Sequence, residues 1–380
     1  MIFELTEEQR MIRDAARDFA QQELKPGVIE RDEHQRFPAE QVKKLGELGF
    51  LGMMVAPEYN GAGLDAVSYV LVMEELSKID ASTSVVVSVN NSLVCYGLEA
   101  YGTEEQKEKY LKPLAAGTHI GAFCLSEPEA GSDATSQRTT AVDNGDHYVL
   151  NGTKNWITNG STASTYLVIA QTDPQKAHRG INVLIVEKGM AGFTVGPKEN
   201  KLGIRGSDTH SLLFDDVKVP KENRIGEDGF GFKFAMKTLE GGRIGIAAQA
   251  LGIASGAYEL ARDYAKERQT FGKPIADHQA IQFKLADMAT QIEAARLMCL
   301  KAAWLKDHGQ PYTQAAAMAK LYASEVAMRT TVEAVQIHGG YGYVKEYHVE
   351  RLMRDAKITQ IYEGTSEIQR MVIARELLKD

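Results

Sequence analysis

Hydrophobic residues near the start of the chain step by three and four positions between residues 12 and 19. This spacing places them on one face of a helix. Thr6 and Gln9, ahead of the run, have the separation of a capping box, and Pro26 ends the helical pattern. Similar patterns predict further helices over residues 38–48, 73–79 and 104–114.

The pattern changes near residue 120, where short runs of β-branched and aromatic residues replace the helical spacing. Asp143–Asp146 and Asn151–Gly152 have the composition of tight turns, which predicts two turns between strands. Short strands are predicted at residues 148–150, 166–170, 181–186, 193–195 and 211–214. Strands of this length and spacing predict an antiparallel β-barrel or sandwich.

The helical pattern returns from about residue 229, in longer segments separated by Gly309 and Pro311. Each segment has an apolar seam, which predicts that the segments pack as a helical bundle. The seam of the first segment consists of Ile281, Leu285, Met288, Ile292, Ala295 and Cys299, and the second segment has a similar series over 315–326. The predicted fold class is therefore α+β, with segregated helices and strands. The predicted domains are residues 1–120 (helical), 121–228 (β) and 229–380 (helical bundle).

The net charge of the 380-residue chain is −8, from 43 basic and 51 acidic side chains, which argues against a nucleic-acid-binding protein. The apolar runs look too short for a membrane span. The three cysteines are isolated, so we predict no metal site and interpret them as small buried residues. Residues 1–8 lack a leader pattern, which predicts a cytoplasmic protein or a mature mitochondrial matrix form.

Two stretches in the β region carry more polar residues and turns than packing requires. Residues 123–133 end in Gly-Ser-Asp, and such a loop exposes N–H groups and hydroxyls to a phosphate or to the polar edge of a ring. An ordinary turn is the alternative. In residues 156–160, Trp156 and Thr158 could form a wall beside an aromatic cofactor, or Trp156 could belong to the core.

Two further stretches lie in the last helical region. Residues 336–343 contain three glycines, which allow a ligand close to the backbone or simply end a helix, and we interpret His338 as structural. Glu363 precedes a helix whose predicted capping box is Ser366 with Gln369. A carboxylate in partly apolar surroundings has a raised pKa, so Glu363 could act as a general base. The alternative is that Glu363 is an ordinary surface residue ahead of the helix.

These features alone predict an α-β-α protein with cofactor-like loops, without defining a reaction. Taken together and in this order, the four stretches resemble the acyl-CoA dehydrogenase family, and the similarity extends over essentially the whole chain. Further motifs resemble its short-chain, butyryl-type branch: Ser88–Leu93, Asn151–Lys154, Lys201–Ser207, Gly242–Ala247 and Ile361–Arg370.

The resemblance implies an N-terminal helical domain, a middle β domain and a C-terminal four-helix domain. It also implies FAD-dependent dehydrogenation of a short-chain acyl-CoA to a trans-2-enoyl-CoA. Glu363 would remove the α-proton, flavin N5 would accept the β-hydride, and electrons would pass to electron-transferring flavoprotein. The family pattern further implies a homotetramer, a dimer of dimers, in which a neighbouring subunit completes each FAD site.

Site residues carry over position by position. The implied cofactor contacts are Phe123, Leu125, Ser126, Gly131, Ser132, Trp156, Ile157, Thr158, Arg268, Phe271, Gln279, Gln336, Gly339, Gly340, Thr365, Ser366 and Glu367. The implied substrate contacts are Ser132, Glu240, Gly241, Gly242, Arg243 and Gly364. Arg268 would meet the cofactor pyrophosphate, for which a bidentate guanidinium is well suited.

The position of the base separates branches of the family. Isovaleryl-type and long-chain-type relatives carry their glutamate at the position of Gly242, so this chain follows the short- and medium-chain arrangement. Short branched-chain substrates, such as 2-methylbutyryl- or isobutyryl-CoA, are the main alternative to straight-chain ones. A glutaryl-type substrate is disfavoured because no arginine suited to its carboxylate is evident. The motifs are also compatible with an acyl-CoA oxidase or with a non-catalytic flavoprotein of the same fold.

Overall fold

The computed structural model describes residues 4–379, and its first third is helical. The helices are α1 (Glu7–Phe19), α2 (Val28–Glu33), α3 (Ala39–Glu47), α4 (Ala66–Ile79), α5 (Ala81–Ser88), α6 (Tyr96–Tyr101), α7 (Glu104–Gln106) and α8 (Lys112–Ala115). Thr6 and Gln9 form the predicted capping box at the start of α1. A π-helical segment, Val89–Cys95, joins α5 to α6.

The middle of the chain forms one seven-stranded sheet. Its strands are β1 (Gly121–Cys124), β2 (Thr140–Asp143), β3 (His147–Thr158), β4 (Thr165–Gln171), β5 (Ile181–Glu187), β6 (Phe193–Lys198) and β7 (Thr209–Pro220). They follow the order β1-β4-β2-β3-β7-β6, with β5 also paired to β4. Most pairs are antiparallel, but β1 runs parallel to β4, so the sheet is mixed rather than wholly antiparallel.

Only one of the two predicted turns lies between strands. Asp143–Asp146 connects β2 to β3 in an antiparallel hairpin, as its turn chemistry predicted. Asn151–Gly152 instead lies inside β3, where the pairing with β7 shifts register between Leu150 and Gly152. Gly152 has a φ of 142°, so its glycine allows a bulge in the strand and not a chain reversal.

Five helices and a small hairpin form the last third of the described chain. They are α9 (Gly231–Glu267), β8 (Gln269–Thr270), β9 (Lys273–Pro274), α10 (Gln279–Asp307), α11 (Thr313–His338), α12 (His348–Ile358) and α13 (Ser366–Leu377). The predicted seam on α10 is present, with Met288, Ile292, Ala295 and Cys299 all buried. Helix α4 packs against α9, so the first and last thirds share one apolar core, and the domain boundaries stay predictions.

Helix α9 is at the centre of this core. By length and apolar composition alone, this helix could cross a membrane. However, 83% of its most apolar window is buried inside the fold. Its hydrophobicity is therefore explained by contacts with neighbouring elements on several sides.

Candidate functional site

Glu363 lies on the short connection between α12 and α13, in an unusual backbone conformation. Its φ is 51° and that of Gly364 is 91°, so two consecutive residues are left-handed. Glycine adopts this region readily, but a glutamate needs support from its surroundings. Thr365 caps α13 by accepting a hydrogen bond from the Ile368 N–H. The predicted capping box was wrong, because Ser366 is already the first helical residue.

Two buried side chains hold this left-handed turn. Gln369 Nε2 donates to the Glu363 carbonyl at 3.2 Å and to the Gly364 carbonyl at 3.0 Å. Lys320 Nζ, from α11, donates to the same Gly364 carbonyl at 2.6 Å. With both of its carbonyls engaged, the turn has one defined orientation, which sets the direction of the Glu363 side chain.

The Glu363 carboxyl group faces α9 at Gly242. A β-carbon at position 242 would overlap Glu363 Oε2 and would lie 3.1 Å from Cδ of the same group. Although Glu363 as a residue is partly exposed, Oε2 is fully covered and has no hydrogen-bond partner within residues 4–379. Burial raises the pKa of Glu363 to about 7, against the opposing charges of Lys320 and Arg243. Such a group can accept a proton near neutral pH.

The turn of α9 that contains Gly242 also carries other predicted substrate contacts. Arg243 is only 7% exposed, and its Nε has no partner within the described chain. Burial lowers the pKa of Arg243, and the carboxylates of Glu240 and Glu363 oppose this shift. Glu240 accepts a hydrogen bond from Thr313 Oγ1 at 3.0 Å, which ties this turn to the start of α11. The turn therefore brings a buried cation into the electrostatic field of Glu363.

An apolar cluster connects this carboxylate with the first predicted cofactor loop. Leu93 and Phe234 belong to the cluster, and Phe123, Leu125 and Tyr362 border it. The rings of Phe123 and Phe234 stack with their centroids 6.5 Å apart. The structure thus brings the start of the 123–132 loop and the residue beside Glu363 to the same apolar surface.

A buried ion pair holds the 123–132 loop against β3. Lys154 has no exposed surface, and its Nζ donates to Glu127 Oε1 at 2.6 Å and to Gln137 Oε1 at 2.5 Å. Lys154 also donates to the Leu125 carbonyl at 3.1 Å. Burial lowers the pKa of Lys154 to about 8, and the Glu127 carboxylate opposes that shift. From the sequence, Lys154 was only the last residue of the Asn151–Lys154 motif that resembles the short-chain branch, and its contact with the loop was not predicted.

The end of β3 lies beside the same loop. Trp156 is 58% exposed with a φ of 56°, so the alternative of a core tryptophan was wrong. Ile157 is buried and Thr158 half-buried, and the backbone N–H of residue 155 donates to the Ser126 carbonyl at 2.9 Å. Two other predicted contacts in this region, Gly131 and Ser132, are exposed. The strand end and the loop together form an open surface with one aromatic side.

A cavity of about 520 Å³ contains other predicted cofactor contacts. Arg268, Gly339 and Gly340 line it, and the Arg268 guanidinium lies 5.5 Å from the centre of the Tyr341 ring. Open space lies where either glycine would carry a β-carbon. His338, also in the lining, stacks on Tyr264 with centroids 4.2 Å apart, and its Nδ1 is 2.8 Å from the Ala334 carbonyl. These contacts agree with the structural interpretation of His338.

The remaining predicted cofactor contacts lie outside the lining of this cavity. Phe271 is 96% exposed on the β8–β9 hairpin, and Gln279, Gln336 and Glu367 are exposed on helices. Arg268 follows Gly242 by 26 residues along α9. At 1.5 Å per residue this separation is about 39 Å, more than the diameter of a small domain. One small molecule beside Glu363 therefore cannot also reach Arg268 of the same chain.

Comparison with known proteins gives matches along the whole chain. Family models for the acyl-CoA dehydrogenase N-terminal, middle and C-terminal domains match residues 6–118, 122–217 and 229–378. The short-chain specific acyl-CoA dehydrogenase of Clostridium acetobutylicum is 54% identical, covering all of both chains. The structure of butyryl-CoA dehydrogenase from Megasphaera elsdenii is 52% identical, with full coverage of both chains and a TM-score of 0.98. A chain from the structural study of the electron transferring flavoprotein of Acidaminococcus fermentans is 55% identical, with full coverage of both and a TM-score of 0.99.

The cofactor of this family is FAD, and the residues present suit its two halves. Phe123 and Leu125, which border an apolar cluster, and the exposed ring of Trp156 suit a flavin ring. The cavity with Arg268 and the two open glycines suits a diphosphate and a nucleoside, because it combines a fixed cation with close access to the backbone. From its matches, its fold and this fit, the chain belongs to the acyl-CoA dehydrogenase family of flavoprotein oxidoreductases.

Proposed function

We propose that the protein dehydrogenates short-chain acyl-CoA thioesters, with butyryl-CoA as the model substrate, and that Glu363 is the catalytic base. Glu363 takes the α-proton of the thioester as the Cα–Cβ double bond forms. FAD held near Phe123, Leu125 and Trp156 would supply the acceptor for the β-hydrogen, which leaves as a hydride, and the product would be trans-2-enoyl-CoA. The observation that carries this proposal is the covered and unpartnered Oε2 of Glu363, with its pKa raised to about 7.

The backbone of the same turn supports a second role. The Glu363 N–H has no acceptor within residues 4–379, so it is free to donate to a ligand. Proton removal from a thioester places negative charge on the thioester oxygen, and a fixed N–H donor stabilises that charge by several kcal/mol. The left-handed turn would thus present the base and the donor from one residue.

Helix α9 packs closely against its neighbours beyond Gly242. One turn further, a β-carbon at Gly245 would lie 2.6 Å from Ser88 Oγ, and Ser88 is itself hydrogen-bonded to the Tyr69 hydroxyl at 3.2 Å. Another turn along, Gln249 Oε1 accepts a hydrogen bond from the Tyr362 hydroxyl. A short acyl chain is favoured by the similarity of the whole chain to a short-chain specific acyl-CoA dehydrogenase and to butyryl-CoA dehydrogenase.

The separation between Glu363 and Arg268 supports the predicted oligomer. Since one chain cannot bring both regions to one cofactor, we propose that Arg268 serves the FAD of a neighbouring subunit within a homotetramer.

Electron-transferring flavoprotein is the proposed electron acceptor, and the study of that flavoprotein among the similar structures favours it. Peroxide formation during aerobic turnover would instead indicate an oxidase.

The proposed base is tested with Glu363→Gln, which has nearly the same shape but cannot take up the proton. The variant should retain the visible spectrum of bound FAD. Its rate of anaerobic flavin reduction by butyryl-CoA should fall at least about 100-fold. A variant with an unchanged reduction rate would rule out Glu363 as the base.

Substrate preference is tested by anaerobic flavin bleaching with butyryl-, 2-methylbutyryl-, isobutyryl-, octanoyl- and palmitoyl-CoA. We expect the fastest bleaching with butyryl-CoA. Faster bleaching with either branched thioester would assign the protein to branched-chain substrates. A purified protein without FAD, or one bleached by none of the five, would favour a non-catalytic flavoprotein.

A further inference from the structure

Lys320 is an ionisable residue in the core that the proposed reaction does not use. It lies in the first third of α11 and has no exposed surface, which is rare for a lysine. Its side chain makes no ion pair within the described residues, and its one hydrogen bond, of 2.6 Å, goes to the Gly364 carbonyl. A buried ammonium without an ion pair costs stability, so packing alone does not account for this lysine.

The charges that face Lys320 come from three helices and the turn. Glu363 is the strongest attracting charge, Arg243 on α9 repels, and Glu367 on α13 and Glu325 on α11 contribute less. Burial nevertheless lowers the pKa of Lys320 to about 8, so the side chain is charged at neutral pH. Lys320 and Arg243 are the two cations that act on Glu363, with Lys320 the stronger.

We propose that Lys320 is a positioning residue for Glu363: it holds the left-handed Glu363–Gly364 turn through the Gly364 carbonyl and keeps the carboxylate ionised by its charge. The hydrogen bond acts on the peptide directly after the base, so it sets the direction of the Glu363 side chain. This inference rests on the proposed role of Glu363 as the base.

Gln369 provides a matched comparison inside the same turn. Its Nε2 also donates to the Gly364 carbonyl, at 3.0 Å, but it carries no charge. Replacing either residue by methionine removes one donor from the turn and keeps a side chain of similar length. Only Lys320→Met also removes a positive charge, so the pair separates the electrostatic role from the mechanical one.

The measurement is an infrared pH titration of the FAD-loaded protein, following the protonated-carboxyl band that disappears in Glu363→Gln. In Lys320→Met we expect the titration midpoint to rise by roughly one pH unit. The rate of flavin reduction by butyryl-CoA at pH 7 should then fall about fivefold and recover at higher pH, since less of Glu363 is ionised at neutral pH. Gln369→Met should slow reduction at every pH without moving the midpoint.

Lys284→Met is the control, because Lys284 is a partly exposed lysine on α10 whose partner is Glu333. It should change neither the midpoint nor the rate. An unchanged midpoint in folded, FAD-loaded Lys320→Met would overturn the inference. If that variant does not fold, Lys320→Gln carries the same test, and failure of both to fold would also overturn it, because the lysine would then serve folding.

The two proposals fail in different ways. Retained flavin reduction in Glu363→Gln would rule out Glu363 as the base, and the inference about Lys320 would fail with it. Loss of reduction in Glu363→Gln, combined with an unchanged midpoint in Lys320→Met, would leave the base in place and reject only the role of Lys320.

Discussion

The carboxyl group of Glu363 occupies the space that a side chain at Gly242 would need. A β-carbon built on Gly242 overlaps Glu363 Oε2, and it also lies 2.8 Å from Leu93 Cδ2. The two positions are 121 residues apart in sequence, yet each constrains the other. The absence of a side chain at position 242 is therefore what allows Glu363 to point inward.

We expect Gly242→Ala to displace the Glu363 carboxyl group, because Glu363 Oε2 and Leu93 Cδ2 leave no room for the added methyl. Flavin reduction by butyryl-CoA should slow by at least about tenfold, since small misplacements of a catalytic group reduce rates strongly. Rapid-mixing absorbance at the flavin band measures the rate, and the same spectrum reports the FAD content.

Gly241→Ala is the matched control for this substitution. Its β-carbon would come no closer than 3.8 Å to its nearest neighbour, Lys306 Nζ. It should leave the infrared titration of Glu363 unchanged, whereas Gly242→Ala should shift it. The same titration curve for both variants would contradict the steric relationship.

The raised pKa of Glu363 predicts a pH-dependent stability. In the folded protein the Glu363 carboxyl group has a pKa of about 7, whereas in the unfolded chain it loses its proton near the ordinary value of 4.5. The free energy of unfolding should therefore decrease as pH rises from 4.5 to 7. Glu363→Gln lacks this decrease. Its free energy of unfolding, relative to that of the parent protein, should therefore increase by about 3 kcal/mol between pH 4.5 and 7.

Thermal unfolding of both proteins at pH 5 and pH 8 checks this expectation. The Tm of Glu363→Gln relative to the parent should be higher at pH 8 than at pH 5. Asp355, whose pKa burial raises to about 6, contributes equally in both proteins and cancels in the difference. Parallel pH dependences would show that the Glu363 carboxyl group is solvated in the folded state.

Lys154 should be essential for holding the 123–132 loop. Lys154→Met leaves the Glu127 carboxylate buried without its partner, which should cost about 3–5 kcal/mol of folding free energy. FAD should also dissociate more readily, because Lys154 donates to the Leu125 carbonyl in that loop. Thermal unfolding and the fluorescence of released flavin measure the two effects.

The double variant Lys154→Met/Glu127→Gln tests the cause of this loss. Since it removes the unpaired charge, it should recover part of the stability that Lys154→Met loses. If the double variant is less stable than Lys154→Met, the effect comes from packing and not from the buried charge.

Complementation tests the role of Arg268 in a neighbouring subunit. Arg268→Glu and Glu363→Gln should each be inactive alone. When the two are co-expressed, a mixed dimer has one site in which both residues are intact, so about a quarter of all sites should regain activity. No recovery in isolated mixed oligomers would place Arg268 in the site of its own chain.

Local patterns were sufficient for much of the fold. The Thr6–Gln9 capping box, the Asp143–Asp146 hairpin and the apolar seam on α10 all follow from spacing within a few residues. The bulge at Gly152 was not predicted, because its composition is that of a turn and only the pairing of β3 with β7 shows otherwise. The cap at Thr365 was missed for a similar reason, since Ser366 one residue later has equal capping chemistry.

By itself, the sequence determined the order of helices and strands and the stretches that resemble a known family, because both are written in local spacing and composition. Only the tertiary structure decided that Lys154 and Lys320 are buried, that Trp156 is exposed, and that Gly242 faces Glu363. Burial and long-range contact depend on which distant elements pack together. The same physical cause raises the pKa of Glu363, so the proposed reactivity of that residue is a property of the folded protein.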